Sequence, residues 1–193
     1  MRAAILRKAR ESAEVAAKFF DENAAGLEAC VRALAERFRQ GGRLITMGNG
    51  GSACDAAHVA VEFLHPIIEK RKPLQAMALT GDMATMTAIA NDTDFARVFI
   101  DQLELLARPG DAVLGISTSG ASANVNRALA RARERGLLTI GFAGRDGGRM
   151  PDLCDHCFIV KTWSIHRVQE VHTILLHLLW DQVQVALGED DVL

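Results

Sequence analysis

The chain has 193 residues, 49% of them apolar and 24% charged, the balance of a globular protein with a sizeable core. A net charge of −2 excludes a broad basic field for nucleic acid or anionic lipid, and the absence of tyrosine leaves little for base stacking. No apolar stretch reaches the roughly 18–20 residues needed to span a bilayer.

The N-terminal run MRAAILRKARESAEVAAKFF is broken by charges and lacks the apolar block and cleavage site of a signal peptide. A cytoplasmic location is expected, with no membrane and no direct nucleic-acid partner. Residues 1–22 and 24–39 predict two helices, with apolar positions such as Leu27, Val31, Leu34 and Phe38 at helical spacing. The stop is Gln40-Gly41-Gly42. A strand follows in RLITMGN, then another in QAMALT (75–80). Helical stretches are predicted at 82–91 and 95–107. The clearest strand is DAVLGIST (111–118), introduced by the turn RPGD. A helix over 122–136, a strand over 137–144, a last strand CFIV (157–160) and one long helix over 164–187 complete the chain.

Short apolar runs alternating with helices imply a parallel sheet covered on both faces. The expected fold is a doubly wound α/β sandwich of about five strands, with residues 1–193 as one domain. Ligands in such folds sit beyond the carboxyl ends of the strands.

Two strand ends carry the same design. MGNGGSACDAAH follows the first strand and ISTSGASANV the third, each a Gly/Ser/Thr turn opening a helix. Unpaired N–H groups and the helix dipole make such a start suited to a phosphate. Ser117, Thr118, Ser119 and Ser122 add hydroxyl donors. Either segment alone reads equally well as ordinary turn and cap chemistry; the pair favours a ligand. No G-x-x-x-x-G-K-[ST] is present, and the three-glycine dinucleotide fingerprint is incomplete. GRDGG (144–148) is another glycine cluster after a strand and reads as a simple turn, with approach to the ligand the lesser alternative.

His58 and Glu62 are four apart and share one helix face. Gln169 and His177, eight apart in the final helix, also share a face. If those helices pair, the four converge, and imidazole with carboxylate suits zinc or a related divalent ion. His65, His156 and His172 read as surface or satisfied core residues. Cys154 and Cys157 form a lone C-x-x-C leading into a strand. Reduced thiols are expected there, with a redox role the lesser alternative.

The stretches GNGGSACDAAHVAVEF, AIANDTDF, GDAVLGISTSGASANV, GFAGRDGG and RVQEVHTILLH resemble the sugar isomerase (SIS) domain family across residues 44–177. The two N-terminal helices fit as well. The resemblance implies a homotetramer with active sites at subunit interfaces, residues 1–40 serving the packing. It implies that Asn49, Gly50 and Gly51 line a sugar site with Ser52 nearby, and that Asn91 and Asp92 contact hydroxyls. Ser117, Thr118, Ser119 and Ser122 would hold the phosphate. His58, Glu62, Gln169 and His177 would bind zinc, Glu62 and Gln169 also reaching substrate. The implied reaction interconverts sedoheptulose 7-phosphate and D-glycero-D-manno-heptose 7-phosphate through an enediol, with Glu62 as base and His177 as acid. It would begin a route to the activated heptose of lipopolysaccharide. Two positions depart from the family pattern: Pro66 stands where an arginine is usual, and His166 where some members have aspartate. Lys70, Arg71 or Lys72 would then have to supply a cation, or the substrate is another ketose phosphate. A third reading is a non-catalytic tetramer that binds a replication initiator protein.

Overall fold

The computed structural model describes residues 1–68 and 71–191. Five strands, β1 (Leu44–Gly48), β2 (Ala76–Ala78), β3 (Ala112–Ser117), β4 (Leu138–Gly144) and β5 (His156–Val160), form one all-parallel sheet in the order β2-β1-β3-β4-β5. Every residue of β1, β3 and β4 is buried, as expected of strands covered on both faces. The expected doubly wound α/β sandwich is therefore the observed fold.

Among the described residues six α-helices cover the sheet: α1 (Arg2–Arg39), α2 (Gly51–Leu64), α3 (Met83–Asp92), α4 (Ile100–Leu106), α5 (Ala123–Glu134) and α6 (Ile165–Ala186). One core joins α1, α2 and α6 to the face that carries Leu44, Leu114, Ile140 and Phe158. The other joins α4 and α5 to the face that carries Ile45, Val113 and Ala143. Fully buried Phe63 and Phe142 anchor the first and Phe99 the second. Each such side chain contributes about 1.5–3 kcal/mol of transfer free energy.

Two expectations need correction. The N-terminal helices placed at 1–22 and 24–39 are a single helix, α1. Asn23 does not cap a new helix; its amide donates back to the Phe19 carbonyl at 2.7 Å. Gly26, next to that site, lies against the Phe158 ring, so the helix passes through it for a propensity penalty of about 1 kcal/mol. The helix placed at 95–107 is a 3-10 turn at Phe95–Arg97 followed by α4. Asp94 initiates that turn by accepting from the Ala96 N–H.

The amino ends of β1 and β3 are tied by charge. The buried Asp111 carboxylate accepts from the Arg43 backbone N–H and guanidinium and from the Arg108 N–H. Burial alone would push this carboxyl up; the Arg43 side chain and the two backbone donors outweigh it and hold the group below the usual carboxylate range.

Candidate active site

The chain leaves β1 toward β2 on one side and leaves β3 toward β4 on the other. The carboxyl ends of these adjacent strands therefore open a crevice at the point where the strand order reverses. The two glycine- and hydroxyl-rich turns lie there. Gly50 precedes α2 with φ 56° and ψ −125°, a backbone state that glycine enters freely. Asn49 and the buried Asn124 exchange amide hydrogen bonds of 2.8 and 2.9 Å, which joins the β1 turn to the start of α5. On the β3 side Ser117 Oγ lies 2.8 Å from Ser122 Oγ and 3.5 Å from Ser119 Oγ. Thr118 lies between them, partly exposed.

A third turn buttresses this one. Gly120 has φ 63°, and a Cβ there would lie 1.9 Å from the Gly147 carbonyl oxygen. The Gly120 carbonyl accepts from the Arg149 N–H and from the Asn126 amide. GRDGG is thus more than a chain reversal: Gly147 and Gly148 let the β4 loop rest on the serine-rich loop.

Along the same seam α2 and α6 run parallel. His58 Nε2 is 3.1 Å from Glu62 Oε1 and 3.2 Å from His177 Nε2. The ligating atoms of the three lie within 4.8 Å of one another, a donor set suited to a divalent metal. Glu62 and His58 are partly buried and His177 is exposed. Gln169 sits two turns before His177 and packs its amide over Gly51, where a Cβ would come within 2.1 Å of Nε2. Ser52, also in this first turn of α2, is buried.

Other residues singled out in the sequence make no hydrogen bond to this group. Asn91 and Asp92, exposed at the end of α3, hydrogen-bond to each other at 2.8 Å. His172 is fully buried; its Nε2–H donates to the Ala143 carbonyl. Of the cations considered near Pro66, Arg71 is turned away. It pairs with Asp181 at 2.7 Å and stacks over Trp180, its side chain 2% exposed. The expectation that it serves the crevice is corrected: a buried guanidinium needs a buried partner, and α6 supplies it. Lys72 is exposed, and Lys70 lies outside the described residues. Two residues were missed. Asn124 carried no local sequence signal beyond its place in a helix start. Asp55, one turn before His58, has a buried Oδ2 without a hydrogen-bond partner among the described residues; burial pushes its carboxyl up and His58 partly offsets this.

Residues 9–144 match the SIS domain family model, more than half of the chain. This chain belongs to the SIS domain family. Similar proteins within the family are phosphoheptose isomerases. That of Solidesulfovibrio magneticus is 46% identical over 179 residues, covering 93% of this chain and 87% of its own length. That of Paramagnetospirillum magneticum is 49% identical over 160 residues, 83% of this chain and 81% of its own. Among solved structures, phosphoheptose isomerase GmhA from Neisseria gonorrhoeae superposes with a TM-score of 0.89 at 33% identity, covering 95% of this SIS chain and 98% of that one.

Proposed function

We propose that the chain is an aldose–ketose isomerase that converts sedoheptulose 7-phosphate to D-glycero-D-manno-heptose 7-phosphate. The observation that carries this reading is the meeting of Glu62 with two imidazoles in the crevice that also holds the two anion-binding turns. The phosphoheptose isomerase relatives supply the substrate class.

The phosphate binds at the hydroxyls of Ser117, Thr118, Ser119 and Ser122 and at the amino end of α5. Asn49, Gly50, Gly51 and Ser52 line the sugar, with Asn91 and Asp92 reaching its hydroxyls. Glu62 takes a proton from C1 of the ketose and, after exchange with solvent, delivers one to C2, with an enediol between. His177 gives a proton to the carbonyl oxygen at C2 and takes one from the hydroxyl at C1.

The same residues fit a zinc ion. Ligand atoms at about 2.0–2.1 Å from one tetrahedral ion lie about 3.3 Å apart, close to the 3.1 and 3.2 Å seen between the donor atoms. His58, Glu62 and His177 would hold it, with Gln169 as the fourth ligand once its amide swings from Gly51. When bound, the metal polarises the carbonyl and steadies negative charge on the enediol oxygens. Glu62 Oε1 faces His58, so the second carboxylate oxygen remains for the proton. The enzyme works as a cytoplasmic homotetramer with active sites at subunit interfaces. Residues 1–40 serve the packing, and exposed Ile5 and Leu6 on α1 suit that role. Its product enters the route to activated heptose for lipopolysaccharide.

The test is incubation with sedoheptulose 7-phosphate in deuterated water, following aldose formation and deuterium at C2 by NMR. Turnover by the unmodified chain and its near-complete loss in Glu62→Gln, with the tetramer intact by light scattering, is the expected result. Turnover of a different ketose phosphate alone would shift the substrate, and full activity of Glu62→Gln would remove Glu62 as the base. Metal content by mass spectrometry should fall sharply in His58→Ala.

A further inference from the structure

The cysteine pair on the opposite face of the sheet plays no part in the isomerisation. Cys157 lies in β5, an edge strand, in register with Gly141 of β4. Cys154 comes from the preceding turn and belongs to the core on the α5 side. A Cβ on Gly141 would lie 2.8 Å from Cys154 Sγ and 3.3 Å from Cys157 Sγ, so both sulfurs share the hollow this glycine leaves.

The residue between them is clamped. Asp155 N–H donates to the Thr139 carbonyl and to Thr139 Oγ1, and Asp155 Oδ2 accepts from Thr139 N–H and Oγ1–H, all at 2.9–3.0 Å. That clamp fixes both cysteines against the edge of β4. Both thiols are free. Among the described residues no third His, Cys, Asp or Glu joins the pair, so the donor set falls short of a structural zinc site.

We propose that Cys154 and Cys157 are a redox-active dithiol that closes to a disulfide by exchange with a low-molecular-weight disulfide such as oxidised glutathione. Cys157 is the attacking sulfur. It is the less buried of the two, and the hydrogen bond from Cys154 holds its thiol below the ordinary range while Cys154 is pushed up. The Cys157 thiolate attacks one sulfur of the small disulfide, forms a mixed disulfide and expels a thiolate, which takes up a proton. Cys154 then loses its proton and attacks Cys157 Sγ. The protein disulfide forms as the second small thiol leaves. The protein gives up two electrons and two protons, and one disulfide becomes two thiols. Cys30 is fully buried, its thiol pushed up to about 12 by burial, and stays reduced. Cys54 is exposed with no partner cysteine, and forms only an adduct.

The experiment equilibrates the intact chain with reduced and oxidised glutathione at graded ratios, quenches in acid, alkylates the remaining thiols and maps peptides by mass spectrometry. As the ratio turns oxidising, Cys154 and Cys157 should lose reactivity together, with a peptide linked 154 to 157 and no glutathione left on either. In Cys154→Ser, a stable glutathione adduct should remain on Cys157. Circular dichroism confirms that each sample is folded. The proposal fails if both thiols of the folded unsubstituted chain stay alkylatable at every ratio, or if Cys157 accumulates an adduct while Cys154 is present.

Discussion

Gly120→Ala tests whether the β4 loop holds the serine-rich loop in place. At φ 63° an alanine is in the left-handed region, for about 1–2 kcal/mol. Its Cβ would also sit 1.9 Å from the Gly147 carbonyl oxygen and 2.3 Å from its carbon, both main-chain atoms. Ordinary contact is about 3.5 Å, so one of the two loops must retreat by more than an ångström. Overpacking of that kind adds about 1–3 kcal/mol. Gly136→Ala is the matched control, with φ 72° and nothing within 4 Å of its Cβ position. It should show the backbone penalty alone. Urea unfolding should therefore report about 3 kcal/mol lost for Gly120→Ala against about 1 kcal/mol for Gly136→Ala. The melting temperature should fall about 6–12 °C in the first and about 2–4 °C in the second for a chain of this size. Because Ser119 and Ser122 flank Gly120, KM for the sugar phosphate should rise in Gly120→Ala and stay unchanged in Gly136→Ala. Equal destabilisation by the two substitutions would refute the reasoning, since it would mean that the loops are not in obligatory contact.

Removing the Asp111 carboxylate in Asp111→Ala leaves the Arg43 guanidinium and two backbone N–H groups without their acceptor, and should lower stability by about 3–5 kcal/mol in urea. Asp111→Asn, which keeps an acceptor oxygen, should lose less. His172 carries a pH dependence of definite sign: burial disfavours the imidazolium and pushes the group down to about 4, from the ordinary 6.5 or so of a histidine. Between those values the unfolded chain binds a proton that the folded chain does not. Stability is thus complete above pH 6.5 and declines as pH falls toward 4, by up to about 3 kcal/mol from this residue. Unfolding free energies of His172→Gln should show a flatter slope across that window, and an unchanged slope would assign the acid sensitivity elsewhere. Asn124→Ala leaves Asn49 without its reciprocal amide and should raise KM several-fold in steady-state assays with a smaller effect on kcat.

The strands were legible because burial on both faces writes itself as uninterrupted apolar runs; their order in the sheet came from the structure. The switch-point crevice followed from the alternation of those runs with helices. His58 and Glu62 were legible for a local reason, since a four-residue spacing fixes a shared helix face whatever the rest of the chain does. The break assigned near Asn23 was misleading because that side chain has two uses, capping a new helix or bonding back to the carbonyl four residues earlier. Packing of α1 against α6 and the edge of the sheet decides for the continuous helix. Arg71 illustrates a harder class. Its neighbours make it look like part of a solvated basic run, and its burial depends on Asp181, far along the chain. The Asn49–Asn124 bond is of the same kind: neither asparagine signals the other, and the pair exists because β1 and β3 are neighbours.

The pairing of α2 with α6 explains why the His58, Glu62 and His177 group can form at all. Gly51 meets Gln169 and His58 meets His177, so the sequence offset between α2 and α6 changes by only one residue over two turns. Two parallel helices keep such a register only while both advance at the same rise, about 1.5 Å per residue. One residue deleted between Gln169 and His177 would turn His177 by about 100° and draw its imidazole away from His58. The buried residues of α6 beyond the deletion, Leu179, Trp180 and Val183, would be forced to rotate with it. The core packing that stabilises α6 therefore also sets the aim of its histidine. A single-residue deletion there should abolish turnover and unfold α6 together, whereas His177→Ala should abolish turnover alone.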